Sequence, residues 1–367
     1  MWLFTWLLYY LKCAFNLCIA FILKLTTTAP TYFYPFTRNI KINDYLHIVK
    51  VSGSYYEMGK QYGKQMNSIL KRDIPKALKF LNENQNRILG KIPKQYRKYT
   101  LRQSILGYYK QNRRNLNEDV VEFMKGVAKS SSISYQDLVL CNYYSDLMNN
   151  HCILLSKKID GAPFHLRTLD YGLPLFTQTL IVFHPTDKNA YCSLNLSFIF
   201  NLYTGFSQKG IFFGESFYDF KIGKLSYEGM PIGHISHLAL SCASNSNECV
   251  ECLEQSKRKS NLQLLFADNN KSSIFLSCQD NFIRQQEGDF VYSVTPREKR
   301  DFDKNFHLLT DVQTIIKQFV PNTKSGELHI MCYYKNILYV SVTTKLWQSY
   351  NNTFHEIHVS NLFLKSW

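Results

Sequence analysis

The stretch that most constrains how this chain can fold is 152–170, where two apolar runs flank a two-residue reversal. Asn149-Asn150-His151 reads as a turn, Cys152-Ile153-Leu154-Leu155 opens a strand, and Asp160-Gly161 returns the chain into a second strand ending at Asp170. That layout sets a thiol at the head of one strand beside an arginine, Arg167, and a carboxylate, Asp170, at the tail of the next.

Cut before Cys152, the chain would begin with a residue carrying both a thiol and a free α-amine. Such an amine titrates at about 7.7–8.0, close to working pH, so it can take the thiol proton as a built-in general base. Asp170 would hold the resulting ammonium, while Arg167 would depress the thiol pKa and anchor a substrate carbonyl. The plainer alternative is that Cys152 is one of ten cysteines and fills a strand face, as free cysteine is among the most buried residue types.

Cys152, the turn and His165-Leu166-Arg167-Thr168-Leu169-Asp170-Tyr171 resemble the nucleophile region of the acid ceramidase and N-acylethanolamine acid amidase family. Tyr203-Thr204-Gly205-Phe206-Ser207-Gln208-Lys209-Gly210-Ile211-Phe212-Phe213 is similar to a later strand entry of that family. Gly53-Ser54-Tyr55-Tyr56-Glu57-Met58-Gly59-Lys60-Gln61-Tyr62-Gly63 is closer to the penicillin acyltransferase branch. The resemblance implies a four-layer αββα sandwich of N-terminal-nucleophile hydrolase type, self-cleavage before Cys152, and hydrolysis of an N-acyl lipid amide through an acyl-thioester. No HxxxH or HxH pairing appears and the histidines are scattered, so no metal site is expected, and no cofactor.

Three positions depart from the family pattern. Ile153 stands where a threonine is usual, Thr168 where an asparagine follows the arginine, and Ser293-Val294 where a Thr-Asn pair completes the oxyanion hole. Valine offers no side-chain donor, and losing one such donor costs about a hundred- to a thousandfold in rate. A relative that keeps the fold to bind lipid or a protein partner is therefore the alternative from another class, and acyl transfer through the same thioester is the enzymatic one.

With 367 residues and 45% hydrophobic content the chain can bury a full core. Its formal charge of +15 favours anionic partners such as acidic phospholipid surfaces or nucleic acid. The basic residues are dispersed and no nucleic-acid motif accompanies them, which argues against nucleic acid. A basic surface over 25 tyrosines and 26 phenylalanines fits lipid handling. Residues 1–23 are almost wholly apolar, which is bilayer length, but Lys12 costs about 2.5–3.5 kcal/mol at a helix centre. Residues 1–29 are thus expected to be a signal peptide or signal anchor leading into the secretory pathway. One domain would follow from residue 30, with 30–151 and 152–367 as its two self-cleavage products. The sequons at Asn195, Asn270 and Asn351 are compatible with that route.

Cys249-Val250-Glu251-Cys252 has redox or metal spacing, but no second pair or histidine cluster completes a site, so ordinary thiols on a helix turn are expected. His151 and His165 flank the thiol and are candidate proton shuttles. Glu215 ends an apolar run and carries no spacing that assigns it a role.

In outline, 39–52 reads as an opening strand and 55–81 as a helix kinked at Pro75, with Gly59 and Gly63 allowing close packing. Helix is expected over 102–129, 234–256 and 306–320, and a short helix over 135–147 behind a Ser134-x-x-Asp137 cap. Strands are expected at 179–184, 191–201, 210–217, 263–267, 273–278 and 289–295, and a closing hairpin turns at Lys335-Asn336. Helices flanking antiparallel strands make an α+β layered fold.

Overall fold

The computed structural model describes residues 38–92, 94, 97–98, 100–145, 152–217, 229–256, 262–278 and 281–364. The expected leader 1–29, Leu147, His151 and the bond before Cys152 lie outside the described residues. Among those described, no helix is long and apolar enough to cross a membrane.

The chain opens with β1 (Arg38–Asn43) and β2 (Leu46–Gly53). These form a hairpin rather than one strand, because the Asn43 carboxamide accepts the backbone N–H groups of Tyr45 and Leu46 and turns the chain. Six helices follow: α1 (Tyr55–Gln65), α2 (Asn67–Glu83), α3 (Gln85–Lys91), α4 (Leu101–Asn112), α5 (Glu118–Ser131) and α6 (Tyr135–Ser145). Ser54 caps α1 in a reciprocal capping box with Glu57. The expected single helix over 55–81 breaks at Met66 (φ −102°, ψ 9°), and Pro75 is accommodated inside α2.

Then come β3 (Ile153–Ile159), β4 (Ala162–Leu169), β5 (Gln178–Pro185), β6 (Tyr191–Leu196), β7 (Thr204–Ser207) and β8 (Phe212–Phe217). Two helices, α7 (Ile232–Cys242) and α8 (Ser246–Glu254), replace the single one expected, with Asn245 capping the second. The strands β9 (Leu262–Ala267), β10 (Ser272–Cys278), β11 (Asn281–Glu287) and β12 (Phe290–Val294) precede α9 (Pro296–Asn305). A helical stretch α10 follows in three consecutive pieces, Val312–Thr314, Ile315–Phe319 and Val320–Thr323, the middle one a π-turn. The closing strands are β13 (His329–Tyr334), β14 (Ile337–Val342) and β15 (His355–His358).

The strands form a nine-stranded sheet, β1-β2-β5-β6-β7-β8-β9-β10-β11, and a six-stranded sheet, β12-β3-β4-β13-β14-β15. Every described pair is antiparallel except β2 and β5, which run parallel over eight residues. Strand alternation sorts apolar side chains into three cores. On β2, Val49 and Val51 face α1 to α8 while Leu46 and Ile48 face the second sheet; on β3, Leu154 faces the first sheet while Ile153 and Leu155 face α9 and α10. The result is an α+β sandwich of four layers, αββα.

Glycine sets the tightest helix contact. A Cβ on Gly59 would lie 2.0 Å from the Phe123 carbonyl oxygen of α5, and one on Gly63 would lie 2.7 Å from that of Val127. The helix propensity sacrificed at each, about 1 kcal/mol, is exchanged for backbone-to-backbone approach.

Candidate active site

The hairpin of β3 and β4 builds the site. Asp160 (φ 48°) and Gly161 (φ 75°) both adopt left-handed conformations, giving the two-residue turn whose twist suits antiparallel strands. The register this fixes pairs Ile159 with Ala162 and Leu154 with Arg167. At the open end, the Ile153 backbone N–H donates to Thr168 Oγ1 at 2.8 Å, and the Asp170 backbone N–H reaches the Cys152 sulfur. Cys152, Arg167 and Asp170 are thus brought together, all buried, and Cys152 is a free thiol.

Arg167 crosses toward the other sheet, where its Nη2 donates to the Glu215 carboxylate and to the Glu215 carbonyl oxygen, each at 3.2 Å. Gly214 of β8 makes the room: a Cβ there would lie 2.7 Å from Arg167 Cγ and 3.0 Å from Leu154 Cδ2. The His329 imidazole packs beside the guanidinium, with Nε2 at 3.4 Å from Nη1 and 3.0 Å from the Thr204 hydroxyl. Its Nδ1 donates to Gln178 Oε1 at 2.7 Å, while the Gln178 amide donates to the Leu328 carbonyl. That pattern assigns a neutral ring protonated on Nδ1, and burial together with the Arg167 charge holds its pKa well below the usual range.

Asp170 is held by a strap at 325–327. Ser325 Oγ donates to one carboxylate oxygen at 2.7 Å, and the backbone N–H groups of Gly326 and Glu327 donate to the other. Ser325 Oγ also meets Thr168 Oγ1 at 2.6 Å, so Thr168, which stands where the resemblance implies an asparagine, ties β3 to the strap. Burial pushes the Asp170 carboxyl up to about 6 despite these donors. Glu298 at the start of α9 rises to about 7, first from burial and then from the Asp170 charge.

The expectation that Arg167 would depress the thiol pKa is met only in sign. Burial raises the Cys152 pKa most, Arg167 opposes it, and Glu215 and Asp170 raise it further, so the net shift is upward. The Asp170 carboxylate faces the strap while its backbone faces the sulfur. Ser293 and Val294 do fall beside β3, paired with Leu154 and Ile153. Val294 packs with the α9 and α10 core, and Ser293 Oγ donates to Gln263 Oε1 of β9.

Among the histidines, His165 is buried, bonded through Nδ1 to Ser156 Oγ at 2.7 Å and stacked on Tyr333 with ring planes 14° apart. Burial lowers its pKa to about 3, which makes it a neutral core imidazole. Cys249 and Cys252 sit one turn apart on α8 as free thiols. Sequence reasoning missed His329, Gln178 and the 325–327 strap, and gave Glu215 no role. Only the position of Glu215 at the end of an apolar run hinted at the pairing.

No family model and no curated protein matches the chain. Among solved structures it is similar to a mutant of conjugated bile acid hydrolase from Clostridium perfringens, at 12% identity and a TM-score of 0.43 over 57% of this chain and 93% of that one. Penicillin V acylase from Agrobacterium tumefaciens gives 10% identity and a TM-score of 0.35 over 57% and 86%. A Caenorhabditis elegans N-acylethanolamine-hydrolyzing acid amidase ortholog gives 12% identity and a TM-score of 0.35 over 49% and 92%.

Proposed function

We propose that the chain is a cysteine N-terminal-nucleophile amidohydrolase that cleaves the amide bond of an N-acyl lipid. The observation that carries this reading is the free Cys152 thiol at the head of β3, within electrostatic reach of Arg167 and hydrogen-bonded by the Asp170 backbone. The resemblance of the 152–171 region to the acid ceramidase and N-acylethanolamine acid amidase family supports it.

The chemistry runs in two stages. In the first, the Cys152 sulfur attacks the carbonyl carbon of residue 151, the peptide C–N bond breaks, and water hydrolyses the thioester, leaving a free α-amine on Cys152. In the second, that amine takes the thiol proton, the sulfur attacks the substrate amide, and the protonated amine of the substrate leaves. Water then releases the fatty acid from the acyl-thioester. Arg167 polarises the carbonyl, and Asp170, fixed by the 325–327 strap, holds the Cys152 sulfur through its backbone N–H. A charge of +15 would draw the protein to anionic lipid surfaces.

A second reading rests on the raised Cys152 pKa and on Val294, whose side chain is no donor: a relative that retains the fold without turnover. Mass under denaturing conditions separates the two. Self-cleavage gives two chains summing to about the intact 43.0 kDa, and Cys152→Ala gives one chain without amidase activity. An intact wild-type chain, or a two-chain product from Cys152→Ala, overturns the enzymatic reading.

A further inference from the structure

Between β14 and β15 lie side by side the most solvent-exposed large apolar side chains among the described residues: Leu346 is 82% and Trp347 58% exposed. The turn that carries them is closed on itself. The Thr344 N–H donates to the Trp347 carbonyl at 2.8 Å, and the Trp347 N–H donates back to the Thr344 hydroxyl at 3.3 Å. Exposure at Leu346 and Trp347 is thus imposed by a formed turn, not by a loose end.

The turn itself carries one cation, the exposed Lys345. Lys345 lies within electrostatic reach of Asp44, which Lys41 and Arg72 also face, and Lys41 pairs with it directly. Arg72 in turn pairs with the buried Asp73. Three cations thus meet two carboxylates, one of them buried, on a chain whose net charge is +15.

Both ends of the turn are fastened to the strap that holds Asp170. The Thr343 N–H donates to the Leu328 carbonyl at 2.9 Å, and the Thr343 hydroxyl donates to the Glu327 carbonyl. On the other side the Ser349 hydroxyl donates to the Gly326 carbonyl. The Leu328 N–H donates to Leu169, the residue before Asp170.

We propose that the Leu346 and Trp347 turn docks the protein on an anionic lipid bilayer, seating Trp347 and Leu346 at the headgroup boundary with Lys345 among the acidic headgroups. This rests on the N-acyl lipid reading of the site, since it puts the Asp170 end of the sandwich against the phase in which such a substrate resides. Indole rings favour that boundary, apolar in body and polar at the N–H. Lysines beside it add attraction to acidic lipids. Two side chains on a narrow turn fall well short of the roughly 800 Å² per partner that a stable protein interface buries, which favours a membrane surface as the occupant.

Emission of Trp347, isolated as wild type minus Trp347→Phe in the full chain, tests this on vesicles of phosphatidylcholine with and without phosphatidylserine, prepared with brominated acyl chains. The expected result is quenching and a blue shift on the acidic vesicles, weakened about tenfold in apparent affinity by Lys345→Glu. Absence of quenching on the acidic vesicles, or equal quenching on pure phosphatidylcholine, overturns the proposal. Turnover of a water-soluble short-chain amide, measured in parallel, reports on the catalytic reading alone. If that turnover is absent while Trp347 is quenched, the amidase assignment fails and the docking turn stands.

Discussion

Arg167 and Glu215, 48 positions apart in sequence, form a fully buried ion pair 3.2 Å long that bridges the two sheets of the sandwich. It places a neutralised guanidinium, not a bare one, beside the Cys152 thiol. An arginine that serves a cysteine nucleophile must have its positive charge free when the thiolate forms, so the carboxylate that holds Arg167 in position also limits how far it activates the sulfur.

Glu215→Gln should keep the hydrogen bond and remove the opposing charge. Alkylation of Cys152, followed on its own peptide by mass spectrometry, is expected to shift to lower pH, gaining about tenfold in rate at fixed pH for each unit the thiol pKa falls. Glu215→Ala strands a buried charge and should cost about 3–5 kcal/mol of stability by denaturant titration. An unmoved alkylation profile would show that Glu215 acts only on packing.

Gly214→Ala drives a methyl group into Arg167 Cγ and Leu154 Cδ2. It is expected to destabilise by about 1–3 kcal/mol and to lower amide turnover as the guanidinium is displaced. Gly107→Ala on α4, where nothing lies within 4 Å of the new atom, is the control. It should raise stability by up to about 1 kcal/mol, and equal behaviour of the two variants would remove the steric argument.

Acid–base linkage follows from Asp170 and Glu298. Their folded pKa values, about 6 and about 7, stand above the ordinary 3.8 and 4.5. The folded state therefore holds protons that the unfolded chain has released. The stability each contributes is complete below its ordinary value and is lost as pH rises through about 6 and about 7. Relative to wild type, Glu298→Gln should gain about 3 kcal/mol between pH 4 and pH 8. Thermal melts of both proteins across that range, giving parallel curves, would refute the assignment.

The three sequons differ in access. Asn270 and Asn351 are exposed, whereas Asn195 is buried in β6 with its amide donating to the Asn201 carbonyl at 2.7 Å. Expressed through a secretory route, the folded protein should carry glycan at Asn270 and Asn351 and none at Asn195, read by site-resolved mass spectrometry. Glycan at Asn195 on properly folded protein would contradict the burial.

What sequence made legible was local. The Asp160-Gly161 reversal, the β13 to β14 hairpin and the meeting of Cys152 with Arg167 and Asp170 all follow from strand alternation and a two-residue turn. Glu215 was visible only as a carboxylate of unassigned role, because the contact that gives it one is made between sheets. The strap was illegible for a similar reason: 325–327 contributes mostly backbone N–H groups, which leave no residue signature. Helix ends failed where backbone conformation outweighed residue type. Met66 breaks a pattern that Pro75 was expected to break, and Pro75 sits within α2.

The parallel partnership of β2 with β5 joins the segment before Cys152 to the segment after it through eight paired residues inside one sheet. Severing the backbone ahead of Cys152 would therefore release no domain. Each fragment supplies strands that the other must have, so the halves should remain associated in native buffer and should assemble when produced as two separate polypeptides.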